Sequence, residues 1–190
     1  MKRSEINALV TSANCCFQAH GWTLPPEPQW DVTDFGLGLW REYGLVLVNL
    51  AEQVEYCEKL MYARKGMTTP AHCHKSKKED IISRWGTLQI QVWPGRPGEP
   101  MAESFEMLVN NRKRRVTSGE CVVLESGERV TLVQGIWHQF APLSEECIIG
   151  EVSTANDDSN DNFFLNPDIG RYPQIEEDEP AVIKLLSDPS

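Results

Sequence analysis

The sequence predicts an all-β fold, a barrel or sandwich with jelly-roll topology as the leading option, preceded by one helix and followed by a C-terminal extension packed over it. Three observations carry this. From about residue 42 to 153, short runs rich in Val, Ile, Leu, Thr and aromatics alternate with Gly, Pro, Asn and Ser clusters. Residues 4–20 alone show a sustained helical spacing of apolar positions. After residue 154 the chain turns polar, then carries a series of apolar anchors. The 190 residues suffice for one domain with a sizeable core. They are read as one unit, with a lead-in over 1–41, a barrel over 42–153 and an extension over 154–190.

In the lead-in, Ile6, Leu9, Val10, Ala13 and Phe17 form one apolar stripe, with Ser4 placed to cap the helix. Gly21 suits its stop, and Pro25, Pro26 and Pro28 rule out continuation. The following WDVTDFGLGLW is too rich in Gly and Asp for a helix and reads as a loop leading to a strand. Candidate strands are 43–50, 55–63, 69–74, 79–83, 86–93, 104–109, 120–124, 129–133, 136–140 and 146–153. The basic run Arg112-Lys113-Arg114-Arg115 reads as a solvated turn or strand edge. In the extension only 181–187 looks helical. Phe163, Phe164, Leu165, Ile169, Tyr172 and Ile175 are too many anchors for a free tail, so it is expected to lie across the barrel.

Composition removes several classes of function. A formal charge of −10 repels nucleic acid and anionic membranes. No run approaches the roughly 20 apolar residues of a membrane span. The first residues lack the apolar stretch of a secretory signal, so a cytoplasmic location is expected. The six cysteines form no CxxC pair and are expected to be reduced thiols. Asn156, Asp157, Asp158, Asn160, Asp161 and Asn162 have the composition of a calcium loop but not its spacing, so Asx turns are expected there.

The informative segment runs Gly66-MTTPA-His72-Cys-His74-KSKK-Glu79-DIISRW-Gly86. On a strand, residues two apart share a face, so His72 and His74 present their rings to one point and Cys73 faces away. Glu79, beyond a four-residue polar turn, opens the next strand and can complete a facial set. Further on, Gly135 offers a tight turn and His138 follows it on a strand. Three imidazoles and one carboxylate make a site for one divalent metal with positions left open for a substrate.

These segments resemble the two motifs of the cupin superfamily. The first matches its motif GX5HXHX4EX6G in full, and the second resembles GX5PXGX2HX3N, with Val133 for the proline and Pro142 for the asparagine. The chain further resembles the D-lyxose isomerase family in WDVTDFGLG (30–38), HKSKKEDIISRWGTLQIQVW (74–93), GEVSTANDDSNDNFF (150–164) and IGRYPQIEEDEP (169–180). The resemblance implies a cupin barrel and a metal, usually Mn²⁺. It implies interconversion of D-lyxose with D-xylulose, and often D-mannose with D-fructose. Zn²⁺, Fe²⁺, Co²⁺ or Ni²⁺ also suit such ligands. It further implies a homodimer. A Glu and an Asp two residues apart in the C-terminal part, here Glu176 and Asp178, are implied as proton-transfer groups. So is a lysine ahead of the first motif, with Lys59 chosen and Lys65 its rival. Arg171 and Lys65 are candidates for holding the sugar.

Read as chemistry, aldose–ketose isomerisation needs a polarised carbonyl, a carboxylate base near the C2 proton and a group that handles the hydroxyl proton. The acidic run 176–179 supplies excess carboxylates if the extension folds over the barrel mouth. Three readings compete: an Fe(II) dioxygenase, because a three-His, one-carboxylate site can hold iron; a phosphosugar isomerase on the same fold, for which 112–115 is the basic cluster available; and a sugar- or metal-binding cupin without turnover.

Overall fold

A computed structural model describes all residues except 155, 156, 158, 159, 189 and 190. Among the described residues the chain forms, in order, α1 (Arg3–Ala19), β1 (Gln29–Thr33), α2 (Trp40–Tyr43), β2 (Leu45–Glu52), β3 (Tyr56–Arg64), β4 (Thr69–Cys73), β5 (Glu79–Trp85) and β6 (Leu88–Trp93). There follow β7 (Ser104–Val109), β8 (Arg112–Thr117), β9 (Glu120–Leu124), β10 (Arg129–Leu132), β11 (Trp137–Pro142), β12 (Glu146–Thr154) and β13 (Phe163–Phe164). The strands make two antiparallel sheets, one ordered β1-β2-β3-β12-β5-β10-β7-β8 and the other β13-β4-β11-β6-β9. This is the cupin barrel the motifs predict, with non-sequential neighbours at most pairings beyond β1-β2-β3 and β7-β8.

Alternation explains the packing. In β6 the residues Leu88, Ile90 and Val92 are buried while Gln89, Gln91 and Trp93 are half-buried, so one face enters the space between the sheets. Leu124, Val122, Val130, Leu132 and Met107 join them in the core. Helix α1 buries its predicted stripe, Ile6, Leu9, Val10, Ala13 and Phe17, within the same core cluster. Phe17 stacks on Trp30 and meets Tyr62 edge-on. At the stop, Gly21 takes a φ of +79°, the left-handed conformation a helix end asks of glycine.

Three local expectations change. The WDVT stretch taken as loop is strand β1, because it pairs with β2 from Gln29↔Asn49 to Thr33↔Leu45. Ser4 lies inside α1, and Lys2 is the N-cap. The basic run lies, as expected, on a strand edge, β8, whose exposed cations pair with Glu106 and Glu120 and leave a charged border against further pairing. Residues 181–187 form no helix; Leu185 is buried and bridges to Trp30, so a tertiary contact overrides the local propensity.

The extension packs over the barrel as expected. β13 adds to β4, with Phe164 opposite His72. The Gly170 N–H donates to the Phe35 carbonyl at 2.8 Å, and the Thr33 hydroxyl donates to the Arg171 carbonyl at 2.8 Å. Gly36 has φ +71°, and a Cβ there would sit 3.0 Å from the Gly170 backbone, so the two chains meet at a distance only glycine permits. Beyond, residues 176–180 are stitched to the start of α1. The Ser4 N–H and hydroxyl donate to Asp178, Asn7 donates to Glu179, and Arg3, only 3% exposed, donates to both Glu177 and Asp188.

Arg3→Ala should therefore lower the thermal midpoint by roughly 4–8 °C, from about 2 kcal/mol of lost charged hydrogen bonding to Asp188. Burial would raise the Asp188 carboxyl, but the bonds from Arg3 and the Leu185 N–H hold it below its ordinary range. Its contribution is thus complete above a pH of about 4 and disappears as pH falls through the depressed folded value. Midpoints at pH 7 and pH 3 should differ less in Arg3→Ala than in the unsubstituted protein; an equal difference would count against this account.

Candidate metal centre and active site

The two sheets converge on one cavity of about 350 Å³, within the range of small-molecule sites. The smaller sheet brings His72 from β4, His74 just after it and His138 from β11, with His138 directly opposite His72 in the register. The larger sheet brings Glu79 at the first position of β5. All four are buried, and one ligand atom from each lies within 4.8 Å of the others. The Oε1 atom of Glu79 is 3.0 Å from Nε2 of His138 and 3.4 Å from Nε2 of His74.

The ring orientations are fixed from behind. Nδ1 of His72 meets the Pro70 carbonyl at 2.8 Å, Nδ1 of His74 the Asp161 carbonyl at 2.9 Å, and Nδ1 of His138 the Ile136 carbonyl at 3.2 Å. A carbonyl can only accept, so each Nδ1 carries the proton and each neutral ring turns the Nε2 lone pair inward. Burial, then the neighbouring rings of His138 and His74, hold the His72 imidazole well below its ordinary value, keeping it in the ligating form.

Whether a metal fits is decided by atoms left over. Nε2 of His74, Nε2 of His138 and Oε1 of Glu79 are buried side-chain atoms with no hydrogen-bond partner. Such orphans are costly unless something satisfies them, and all three aim at the same point. A divalent cation answers that arrangement; the donor set of three imidazoles and one carboxylate suits it.

A charged row stands beside the cluster. Nζ of Lys77 is 2.8 Å from Oε2 of Glu79 and 2.9 Å from Oε1 of Glu151. Lys59, opposite Glu151 in the β3–β12 register, has its Nζ 3.7 Å from the same oxygen. Burial alone would raise the Glu79 carboxyl, but the Lys77 ammonium beside it holds it well below its ordinary value. Burial would likewise lower the Lys77 ammonium, and Glu151 and Glu79 instead push it above its usual range. Both stay ionised through the neutral range.

Of the residues the sequence pointed to, the structure brings together His72, His74, Glu79, His138, Lys59 and Arg171, all lining this cavity. It does not bring Glu176, Asp178 or Lys65 there. Asp178 is occupied at the N-terminus of α1 and Glu176 bridges to Lys2, because the helix start and Arg3 attract the acidic run. Lys65 is exposed and pairs with Glu145. Cys73 is buried outside the ligand group, and among the described residues all six cysteines are free. Asn156 and Asp158 lie outside the described residues. Asp157 accepts the Asn160 N–H at 3.0 Å, a bond three residues along and not the two-residue Asx turn expected there. The sequence reading missed Glu151 and Lys77. Their signals were a carboxylate interrupting the apolar run CIIG of β12 and a lysine inside the four-residue spacer of the first motif.

A cupin barrel whose buried ligand set stands beside an inward-facing carboxylate and two lysines has the form of an enzyme site. The comparisons agree. Residues 27–189 match the family described as D-lyxose isomerase. The D-lyxose/D-mannose isomerase of Escherichia coli O157:H7 is 32% identical over 99% of this chain and 98% of its own. That of Serratia proteamaculans is 36% identical over 80% of this chain and 71% of its own. The chain belongs to the D-lyxose isomerase family and is an isomerase, which sets aside the dioxygenase and the non-catalytic readings. L-ribose isomerase of Cellulomonas parahominis shares the fold, with a TM-score of 0.68 at 18% identity, covering 93% of this chain and 98% of that one. Among the described residues no helix is long and apolar enough to cross a membrane.

Proposed function

We propose that this protein interconverts D-lyxose with D-xylulose, and D-mannose with D-fructose, in the cavity between the sheets, with Glu151 moving the proton between C2 and C1. The relatives' names support the sugars. The observation that supports the mechanism is Glu151 itself: a carboxylate 7% exposed, lining the cavity of the ligand cluster and held between Lys77 and Lys59.

His72, His74, Glu79 and His138 would hold a divalent ion, Mn²⁺ in this proposal, and the chemistry it would supply is polarisation of the sugar carbonyl. The chain's own groups do the rest. Glu151 takes the C2 proton as the C2–H electrons move to form the cis-enediolate, then returns that proton to C1. Lys59, on the far side of the Glu151 carboxylate, handles the hydroxyl proton that moves between O2 and O1. Arg171 and Asp31, both lining the cavity, hold the sugar's remaining hydroxyls. Phe35 and Phe164, edge to face, close off water. Glu151 thus takes the part that resemblance had suggested for Glu176.

The test is ketose formation by chelator-stripped protein on D-lyxose and D-mannose, with and without Mn²⁺, beside His72→Ala. Ketose that requires the metal and is lost in His72→Ala is the expected result. Folded protein that binds metal but converts neither sugar would overturn the substrate assignment.

A further inference from the structure

The two halves of the ligand set on the first motif, His74 and Glu79, are separated by only four residues, Lys75–Lys78, that must reverse the chain from one sheet to the other. Lys75 and Lys78 are exposed, so this turn has little apolar packing to shape it. What shapes it comes from far along the chain. The Lys75 N–H donates to Oδ1 of Asp161 at 2.8 Å, the Ser76 N–H to Oδ1 at 2.9 Å and Oδ2 at 3.2 Å, and the Lys77 N–H to Oδ2 at 2.8 Å. Three consecutive amides converge on one carboxylate, the concave arrangement by which a backbone grips an anion. Asp161 is 7% exposed, so these bonds are shielded from competing water.

The same residue reaches the ligand by a second route, since the Asp161 main-chain carbonyl is the acceptor for Nδ1 of His74. The carboxylate fixes where the residue sits, and the carbonyl then fixes which way the ring points. Lys77, whose Nζ spans Glu79 and Glu151, leaves the backbone from the amide that Asp161 holds. From the other side, the Gly135 N–H donates to the His74 carbonyl and Gln134 to the Ser76 carbonyl. These contacts hold the main chain and do not touch the His74 ring.

We propose that Asp161 is a positioning residue of the active site: its carboxylate gathers the turn between the two ligands while its carbonyl aims His74, so that it sets metal affinity and the placement of Lys77 without touching substrate. The inference rests on the metal-site reading, and the experiment separates the two. Mn²⁺ alone is titrated calorimetrically into metal-free protein, into His72→Ala, into Asp161→Ala and Asp161→Asn, and into Thr154→Val. The last variant removes a hydroxyl that accepts the Lys78 N–H at 3.1 Å and so loosens the same turn away from His74.

Asp161→Ala keeps the carbonyl but releases it from the turn that places it, so Mn²⁺ binding should weaken about ten- to a hundredfold, the range for disturbing an outer partner of a ligating histidine. Asp161→Asn, which keeps acceptors for part of the turn, should fall between. Thr154→Val should bind as the unsubstituted protein does. In protein carrying ¹⁵N-histidine, the slowly exchanging His74 Nδ1–H signal should be lost in Asp161→Ala and kept in Thr154→Val. Equal weakening in Thr154→Val, or unchanged Mn²⁺ binding in Asp161→Ala, would overturn the assignment. Binding by His72→Ala as tight as by the unsubstituted protein would instead sink the metal site itself.

Discussion

Replacing Glu151 by glutamine should lower kcat by roughly three orders of magnitude, the middle of the range for a general base, while KM and metal content change by no more than a few-fold. The substitution keeps the shape and an oxygen for Lys77, and touches none of the four ligands, so binding survives while proton acceptance does not. Opposite it in the sheet stand Lys59 on β3 and Ile81 on β5. A variant retaining a tenth or more of the activity would remove Glu151 from the mechanism. The isotope experiment is independent of any substitution. A sugar deuterated at C2 should lose label to water during turnover, whereas complete retention would indicate a hydride shift.

The second large effect is expected at Lys77. In Lys77→Met the carboxylates of Glu79 and Glu151, 2% and 7% exposed, lose the cation that lies between them. Removing one partner from a buried charged group costs about 3–5 kcal/mol, so the metal-free protein should melt roughly 6–20 °C lower. Mn²⁺ should restore part of that loss, because Glu79 regains a counter-charge while Glu151 does not. Lys78→Met, at an exposed position one residue away, should stay within about 0.5 kcal/mol of the unsubstituted protein. Equal destabilisation of the two variants, or no recovery with Mn²⁺, would contradict this picture.

How far the sequence alone carries the argument follows from the range of the forces. The ligands were legible because their placement is local. His72 and His74 share a face by the two-residue period of a strand, and Glu79 and His138 sit at set distances from glycines that turn the chain. Ten strands were legible for the same reason, since β6 and β12 bear their burial pattern in their own residues. Glu151 was not, because a single charge on an apolar strand shows only which face it is on, and its meaning depends on Lys59 and Lys77 arriving from other elements. The run 176–179 was misplaced on similar grounds. Its partner Arg3 lies 174 residues away in sequence from Glu177, and no pattern within the run announces that it would rather meet a helix start than a metal. Residues 181–187 had helical composition and lost it to a bridge with Trp30.

The cavity's charges have a consequence for what it will hold. Its lining carries three carboxylates, Asp31, Glu79 and Glu151, and three cations, Lys59, Lys77 and Arg171. With neutral imidazoles the protein's own formal charges cancel, so the double charge of a bound ion stands uncompensated inside a low-dielectric shell. In the proposed reaction a neutral sugar would meet no net repulsion there and would be held more tightly as it turns negative. A flat, anionic mimic of that moment, such as a sugar hydroxamate, is favoured over the sugar itself, and an amino sugar of the same shape is turned away by the field alone.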